Sequence, residues 1–120
     1  MPYSILVVDD HEPMRRRIRS LLEGEGLDVC AEAANGREAI EKTKEHMPDL
    51  AILNLSMPVM SGMQAIPGML GCAPQLKIVI FTVDDADELR QYAFRLGAAG
   101  YVSKSDPSEV LLATVRKLLR

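Results

Sequence analysis

Acidic and amide side chains stand directly after two apolar runs of the chain. Asp9 and Asp10 follow residues 5–8, and Asn54 follows residues 50–53. A short strand that ends in clustered acids is a good metal and phosphate site, because open parallel sheets hold their ligands at the carboxyl ends of the strands. Because an amide offers no anionic oxygen nucleophile, Asn54 can take part in binding but not in covalent transfer.

The elements that must position these residues alternate along the chain. Apolar, β-branched runs begin at Ser4, Asp28, Leu50, Lys77 and Tyr101, and the segments between the first four have the spacing of helices. Right-handed crossovers place such helices on both faces of a parallel sheet. The pattern predicts a flavodoxin-like α/β fold of five βα units, a three-layer sandwich with the strand order 2-1-3-4-5.

Local signals mark several helix ends. Asn35 can cap the second helix, Gly97 closes the fourth, and residues 106–109 resemble a capping box with proline in the first turn of the fifth. The third helix is weaker, because residues 67–71 contain one proline and two glycines, which cost helix stability. We expect this helix to be short, kinked or frayed.

Length and composition limit the function classes. With 120 residues, of which 48% are hydrophobic, the chain fits one domain over residues 1–120. The net charge of -3 argues against direct nucleic-acid binding. Cys30 and Cys72 have no metal-ligand spacing and are expected as buried free thiols. Without an apolar span or a signal peptide, the pattern predicts a cytoplasmic protein.

In the predicted strand order, the first and third strands are neighbours. Asp9, Asp10 and Asn54 therefore converge on one crevice, together with Thr82 after the fourth strand and Lys104 after the fifth. This set, with Tyr101 three residues before the lysine, resembles the receiver domain of bacterial response regulators over essentially the whole chain. Four stretches, residues 7–11, 33–39, 57–62 and 97–101, look most similar to NarL/FixJ-like receivers that precede a LuxR-type helix-turn-helix.

The resemblance implies a role for each site residue. Asp9, Asp10, the side chain at position 54 and the backbone carbonyl of Ser56 would hold Mg²⁺. Position 54 matches the aspartate that accepts the phosphoryl group, and its replacement by Asn54 should block phosphorylation and weaken Mg²⁺ binding. Three further residues would respond to the phosphoryl group: Thr82 as the hydroxyl that bonds it, Lys104 as the cation that pairs with it, and Tyr101 as the ring that changes rotamer with Thr82. One departure is Ser105, where many receivers carry proline.

As a receiver, the chain would dock a sensor histidine kinase and bias its own or a partner effector domain, acting by binding rather than as an enzyme. The fourth helix, fifth strand and fifth helix are the expected output surface, and a homodimer could use that surface or the first and fifth helices. Alternatively, the chain is a natural pseudo-receiver. Since Asp9, Asp10, Thr82 and Lys104 still fit the family pattern, we favour a recent or deliberate replacement of aspartate at position 54.

Taken singly, the residues of this set also have simpler interpretations. Thr82 alone is an ordinary strand residue, Lys104 alone an exposed charge, and Tyr101 alone a packing residue. His11 and His46 have no ligand spacing, and the arginines at 15–17 and 19 are expected on a solvated face. Two rival classes, a flavodoxin-like anion-binding protein and a metal-dependent phosphohydrolase, are weakened by the acids after the first strand and by the missing carboxylate at position 54.

Overall fold

The computed structural model describes residues 2–120. Within them, five strands and five helices alternate along the chain: β1 (Ser4–Val8), α1 (Glu12–Glu23), β2 (Asp28–Ala33), α2 (Gly36–His46), β3 (Leu50–Leu53), α3 (Gly62–Cys72), β4 (Lys77–Thr82), α4 (Asp87–Leu96), β5 (Gly100–Ser103) and α5 (Ser108–Leu118). The strands form one parallel sheet in the order β2-β1-β3-β4-β5. The predicted flavodoxin-like fold and strand order are confirmed, with β5 beginning one residue before the predicted position.

The inner strands β1 and β3 are buried on both faces of the sheet, which explains why residues 5–8 and 50–53 are continuous apolar runs. Successive residues of a strand point to opposite faces, so Leu6 and Val8 of β1 belong to the core cluster beneath α2, α3 and α4. Ile5 and Val7 belong to the second cluster, which α1 and α5 cover. Helices therefore cover both faces of the sheet, and the carboxyl ends of its parallel strands lie together at one edge.

Two of the predicted helix ends are confirmed and one is wrong. Asn35 Oδ1 accepts a hydrogen bond from the backbone N–H of Glu38 at 2.9 Å, and Gly97 ends α4 with a φ of 116°. The predicted capping box at residues 106–109 does not form, because α5 begins at Ser108 and no side chain caps it. The backbone N–H of Asp106 instead closes a turn onto the carbonyl of Ser103.

The third helix is not short. α3 has 11 residues, the same length as α2 and α5. It begins with a capping box between Ser61 and Gln64, and Pro67 removes only one N–H from its ladder. Gly68 gives a packing advantage, since a Cβ there would lie 2.6 Å from Cδ1 of Ile40 on α2. Close packing of α3 on α2 offsets the low helix propensity.

Cys30 and Cys72 are free thiols, as expected, but both are half-buried rather than fully buried. None of the helices between residues 2 and 120 is long and apolar enough to cross a bilayer.

Candidate functional site

The sheet register brings the predicted site residues to one edge. Val8 pairs with Leu53, and the backbone N–H of Asn54 donates to the carbonyl of Val8 at 3.0 Å. The residues that follow these strand ends, Asp9 and Asn54, are therefore side by side. On the other side of Asn54, the backbone N–H of Lys104 donates to the carbonyl of Thr82 at 2.8 Å, which fixes the ends of β4 and β5.

Asn54 is the centre of the site and is only 7% exposed. Its Oδ1 accepts a hydrogen bond from Nζ of Lys104 at 3.2 Å. Its Nδ2 donates to the carbonyl of Ser56 at 2.9 Å and to Oδ1 of Asp10 at 3.3 Å. Thus the amide connects the ends of β1 and β5 with the loop after β3.

Asp9 carries a buried negative charge, since only 1% of the residue is exposed. Its Oδ2 lies 2.7 Å from Nζ of Lys104, and its Oδ1 accepts from the backbone N–H of His11 at 2.9 Å. A buried carboxylate is costly unless it is paired and hydrogen-bonded, and here both conditions are met. Lys104 therefore serves Asp9 and Asn54 at once.

Arg15 contacts Asp9 and shares the carboxylate of Glu32 with Arg19. Nη1 of Arg15 donates to the backbone carbonyl of Asp9 at 2.6 Å, and its Nε donates to Glu32 on β2 at 3.0 Å. Nη2 of Arg19 reaches the other oxygen of Glu32 at 2.7 Å. Arg16 and Arg17 are exposed as expected, but the expectation of a solvated face is wrong for Arg15, whose side chain is 17% exposed, and holds only in part for Arg19, which is 35% exposed. The sequence does indicate a shared partner for Arg15 and Arg19, because a spacing of four residues places both on one face of α1.

These contacts shift the pKa values of Glu32 and Arg19. Burial opposes ionisation of Glu32, but hydrogen bonds from Arg19 and Arg15 outweigh it and hold the pKa of Glu32 below its usual value. The bond to Glu32 in turn raises the pKa of Arg19. Glu32 thus remains ionised at neutral pH and keeps its hydrogen bonds to both arginines.

Thr82 and Tyr101 meet at the loop between β4 and α4. Thr82 Oγ1 accepts from the backbone N–H of Asp84 at 3.2 Å, and the hydroxyl of Tyr101 donates to the carbonyl of the same residue at 2.6 Å. The guanidinium of Arg90 lies 4.7 Å from the centre of the Tyr101 ring. Burial, with the nearby charge of Asp84, raises the pKa of Tyr101. Sequence reasoning missed Asp84 and Arg90 as partners of this ring.

An open cleft leads from solvent to these groups. It has a volume of about 630 Å³ and reaches Asn54, Thr82 and Lys104. Leu89 and Tyr92 of α4 line its outer wall. The amide of Asn54 thus lies at the inner end of a cleft that is open to solvent.

The oxygen atoms at this edge do not fit a divalent cation as they are arranged. Asp10, the carbonyl of Ser56 and the side chain of Asn54 converge, but Asn54 presents an N–H donor to the other two. One carboxylate oxygen of Asp9 is taken by Lys104. Among residues 2–120, no group of three or more carboxylate, histidine or cysteine side chains could hold a metal. The predicted metal set of Asp9, Asp10, Asn54 and Ser56 is thus brought together but stays a prediction as a metal site.

The architecture and the strand-end residues match a known family. The response regulator receiver domain family matches residues 5–116. The chain belongs to this family. The oxygen regulatory protein NreC of Staphylococcus haemolyticus (strain JCSC1435) is 39% identical over 118 residues, which are 97% of this chain and 54% of that protein. The chemotaxis protein CheY of Bacillus subtilis (strain 168) is 34% identical over 119 residues, 99% of both chains.

A solved structure supports this family assignment. The crystal structure of a two-component response regulator of the LuxR family from Aurantimonas sp. SI85-9A1 superposes with a TM-score of 0.91 at 35% identity, covering 99% of this chain and 86% of the other. The predicted similarity to receivers of LuxR-type regulators is thereby confirmed. This receiver spans about half the length of NreC.

Proposed function

We propose that this receiver, as one domain over residues 1–120, is a two-component signalling module that cannot be phosphorylated at position 54. It docks a sensor histidine kinase and acts by protein-protein binding on its own or a partner effector domain that regulates transcription. The observation that carries the proposal is Asn54, which takes the phosphoacceptor position while Lys104 lies 3.2 Å from its oxygen.

The chemistry of the amide supports the block. Phosphoryl transfer needs an oxygen that attacks phosphorus in line, and a carboxylate supplies it while a neutral amide does not. The only oxygen of the Asn54 side chain also accepts a hydrogen bond from Lys104, which lowers its electron density further. Ser56 is exposed and has no general base beside it in the described contacts, so it is a poor substitute.

Binding is then the activity that remains. A receiver is a two-state domain, and an unphosphorylated one still populates the arrangement that its partners prefer. We assign the switch to Thr82, Tyr101 and Lys104, because the first two share contacts with Asp84 and the third contacts position 54. The output surface would be α4, β5 and α5, where Tyr92 and Val110 are exposed. A homodimer would use this surface or α1 and α5.

Several further properties follow from the proposal. The protein would be cytoplasmic, would bind Mg²⁺ weakly and would not turn over a substrate. The alternative is a natural pseudo-receiver that works as an interaction module independent of phosphorylation. Mass spectrometry of the native gene product separates the two, because aspartate at position 54 favours a replaced phosphoacceptor and asparagine favours the pseudo-receiver.

Intact mass after incubation with Mg²⁺ and acetyl phosphate tests the block. The chain is compared with Asn54→Asp, which restores the carboxylate, and with Asn54→Ala, which removes the side-chain amide without providing a nucleophile. We expect only Asn54→Asp to gain the mass of one phosphoryl group. A phosphorylated Asn54 chain would refute the block, and an unreactive Asn54→Asp would refute the assignment of position 54 as the phosphoacceptor.

A further inference from the structure

We propose that the side-chain amide of Asn54 replaces a divalent cation, so that hydrogen bonds hold this receiver site together and millimolar Mg²⁺ does not change its stability. This inference deepens the proposed function and concerns the same site. The Nδ2 group lies between two oxygens that come from different segments, Oδ1 of Asp10 at 3.3 Å and the carbonyl of Ser56 at 2.9 Å. It therefore connects the end of β1 to the loop after β3.

The orientation of the amide is fixed by the chemistry of its neighbours. An ammonium group only donates hydrogen bonds and a backbone carbonyl only accepts them. The atom of Asn54 that faces Lys104 must therefore be the oxygen, and the atom that faces Ser56 must be the nitrogen. The reversed amide would place two donors against each other on one side and acceptors against each other on the other.

A cation that used the same oxygens would have to displace the amide. Mg²⁺ binds oxygen ligands at about 2.0–2.1 Å in an octahedral arrangement, whereas Nδ2 already donates to both Asp10 and Ser56. If Asn54 itself became a ligand, its oxygen would leave Lys104 and its nitrogen would turn toward the ammonium. Entry of the ion thus breaks three hydrogen bonds, which we expect to weaken Mg²⁺ binding at least about tenfold.

The charges of the site point the same way. Asp9 and Asp10 carry two negative charges, and Lys104 returns one positive charge at 2.7 Å from Asp9. Aspartate at position 54 would add a third carboxylate to the same strand edge, and neighbouring carboxylates repel one another unless a cation is bound. With Asn54 the remaining carboxylate, Asp10, is exposed to solvent and hydrogen-bonded. The site therefore has no electrostatic need for a divalent ion.

Two measurements on three proteins test the inference. Thermal unfolding followed by circular dichroism, with and without millimolar Mg²⁺ at matched ionic strength, compares the chain with Asn54→Asp and Asn54→Ala. Isothermal titration calorimetry gives the Mg²⁺ dissociation constants. We expect the melting temperature of the chain to be unchanged by Mg²⁺, whereas that of Asn54→Asp rises. We also expect Asn54→Ala to bind Mg²⁺ severalfold more tightly than the chain, because it lacks the competing N–H donor.

The comparison with alanine is decisive, because an Asn54 that served as a metal ligand would make the alanine variant bind more weakly. That result, or a melting temperature that Mg²⁺ raises as much in the chain as in Asn54→Asp, would overturn the inference. If Asn54→Ala does not fold, a Mg²⁺-induced rise in the melting temperature of the chain equal to that of Asn54→Asp would still overturn the inference. Failure here leaves the phosphorylation block standing, since that block is read separately from the mass of the acetyl phosphate product.

Discussion

Replacement of Gly62 by alanine should disturb the site through the backbone of Asn54. Gly62 is the first residue of α3, and its N–H donates to the carbonyl of Leu55 at 2.8 Å. A Cβ at this position would lie 2.0 Å from the backbone oxygen of Asn54 and 3.1 Å from Cγ of Leu53. Both neighbours are buried, so the added methyl group has no free space to enter.

The cost can be worked from these distances. A carbon-oxygen contact normally needs about 3.3 Å, so the start of α3 must move away from Asn54 by more than 1 Å. Overpacking of this kind costs about 1–3 kcal/mol, and weakening the bond from Gly62 to Leu55 adds about 1 kcal/mol. We expect Gly62→Ala to lower the free energy of unfolding by about 3 kcal/mol, which is about 12 °C in Tm for a chain of this size.

Gly71 provides a matched control within the same helix. It is exposed, and a Cβ there would meet nothing within 4 Å. Gly71→Ala should therefore raise stability by about 0.5–1 kcal/mol through helix propensity alone. Urea and thermal unfolding followed by far-ultraviolet circular dichroism measure both variants. If Gly62→Ala melts at or above the temperature of the parent chain, the close approach of α3 to Asn54 is not rigid and the reasoning fails.

Two further predictions concern titrating groups. Glu32→Gln should cost about 1 kcal/mol at neutral pH. Because the pKa of Glu32 is lowered in the folded chain, this difference in urea unfolding is present above about pH 4.3 and disappears as the pH falls through the lowered pKa; a difference that persists in acid would contradict it. Because burial raises the pKa of Tyr101, tyrosinate absorbance should include one group that ionises above about pH 10 and is missing in Tyr101→Phe. If the difference in absorbance between parent and variant has its titration midpoint at or below that pH, the burial argument is refuted.

The fold could be predicted because each level of the sequence points to the same architecture. Continuous apolar runs indicate strands buried on both faces, and helical segments between them leave few chain paths. The third helix could not be predicted from local propensity, because the contact that offsets it is tertiary. Gly68 lets α3 approach Ile40 of α2, and nothing within residues 67–71 indicates that partner.

The site could be predicted where backbone topology alone places a residue. Asp9, Asn54 and Lys104 directly follow strands, so the strand order is enough to bring them together. The supporting residues depend on side-chain reach instead. Arg15 leaves α1 and contacts both Glu32 and the carbonyl of Asp9, a path that helical spacing does not specify. The functional roles of the converging residues remain predictions for the phosphorylation and Mg²⁺ measurements.

The hydrogen bonds of the Asn54 amide also affect its spontaneous deamidation. Hydrolysis of an asparagine side chain to aspartate usually begins when the next backbone nitrogen, here that of Leu55, attacks the side-chain carbon. That attack requires the amide to turn, and contacts with Lys104, Ser56 and Asp10 hold it in place. The cyclic imide that this attack forms opens to isoaspartate and to aspartate, and only the aspartate would supply the carboxylate that the proposed function places at position 54. The same contacts therefore slow the conversion of Asn54 to aspartate.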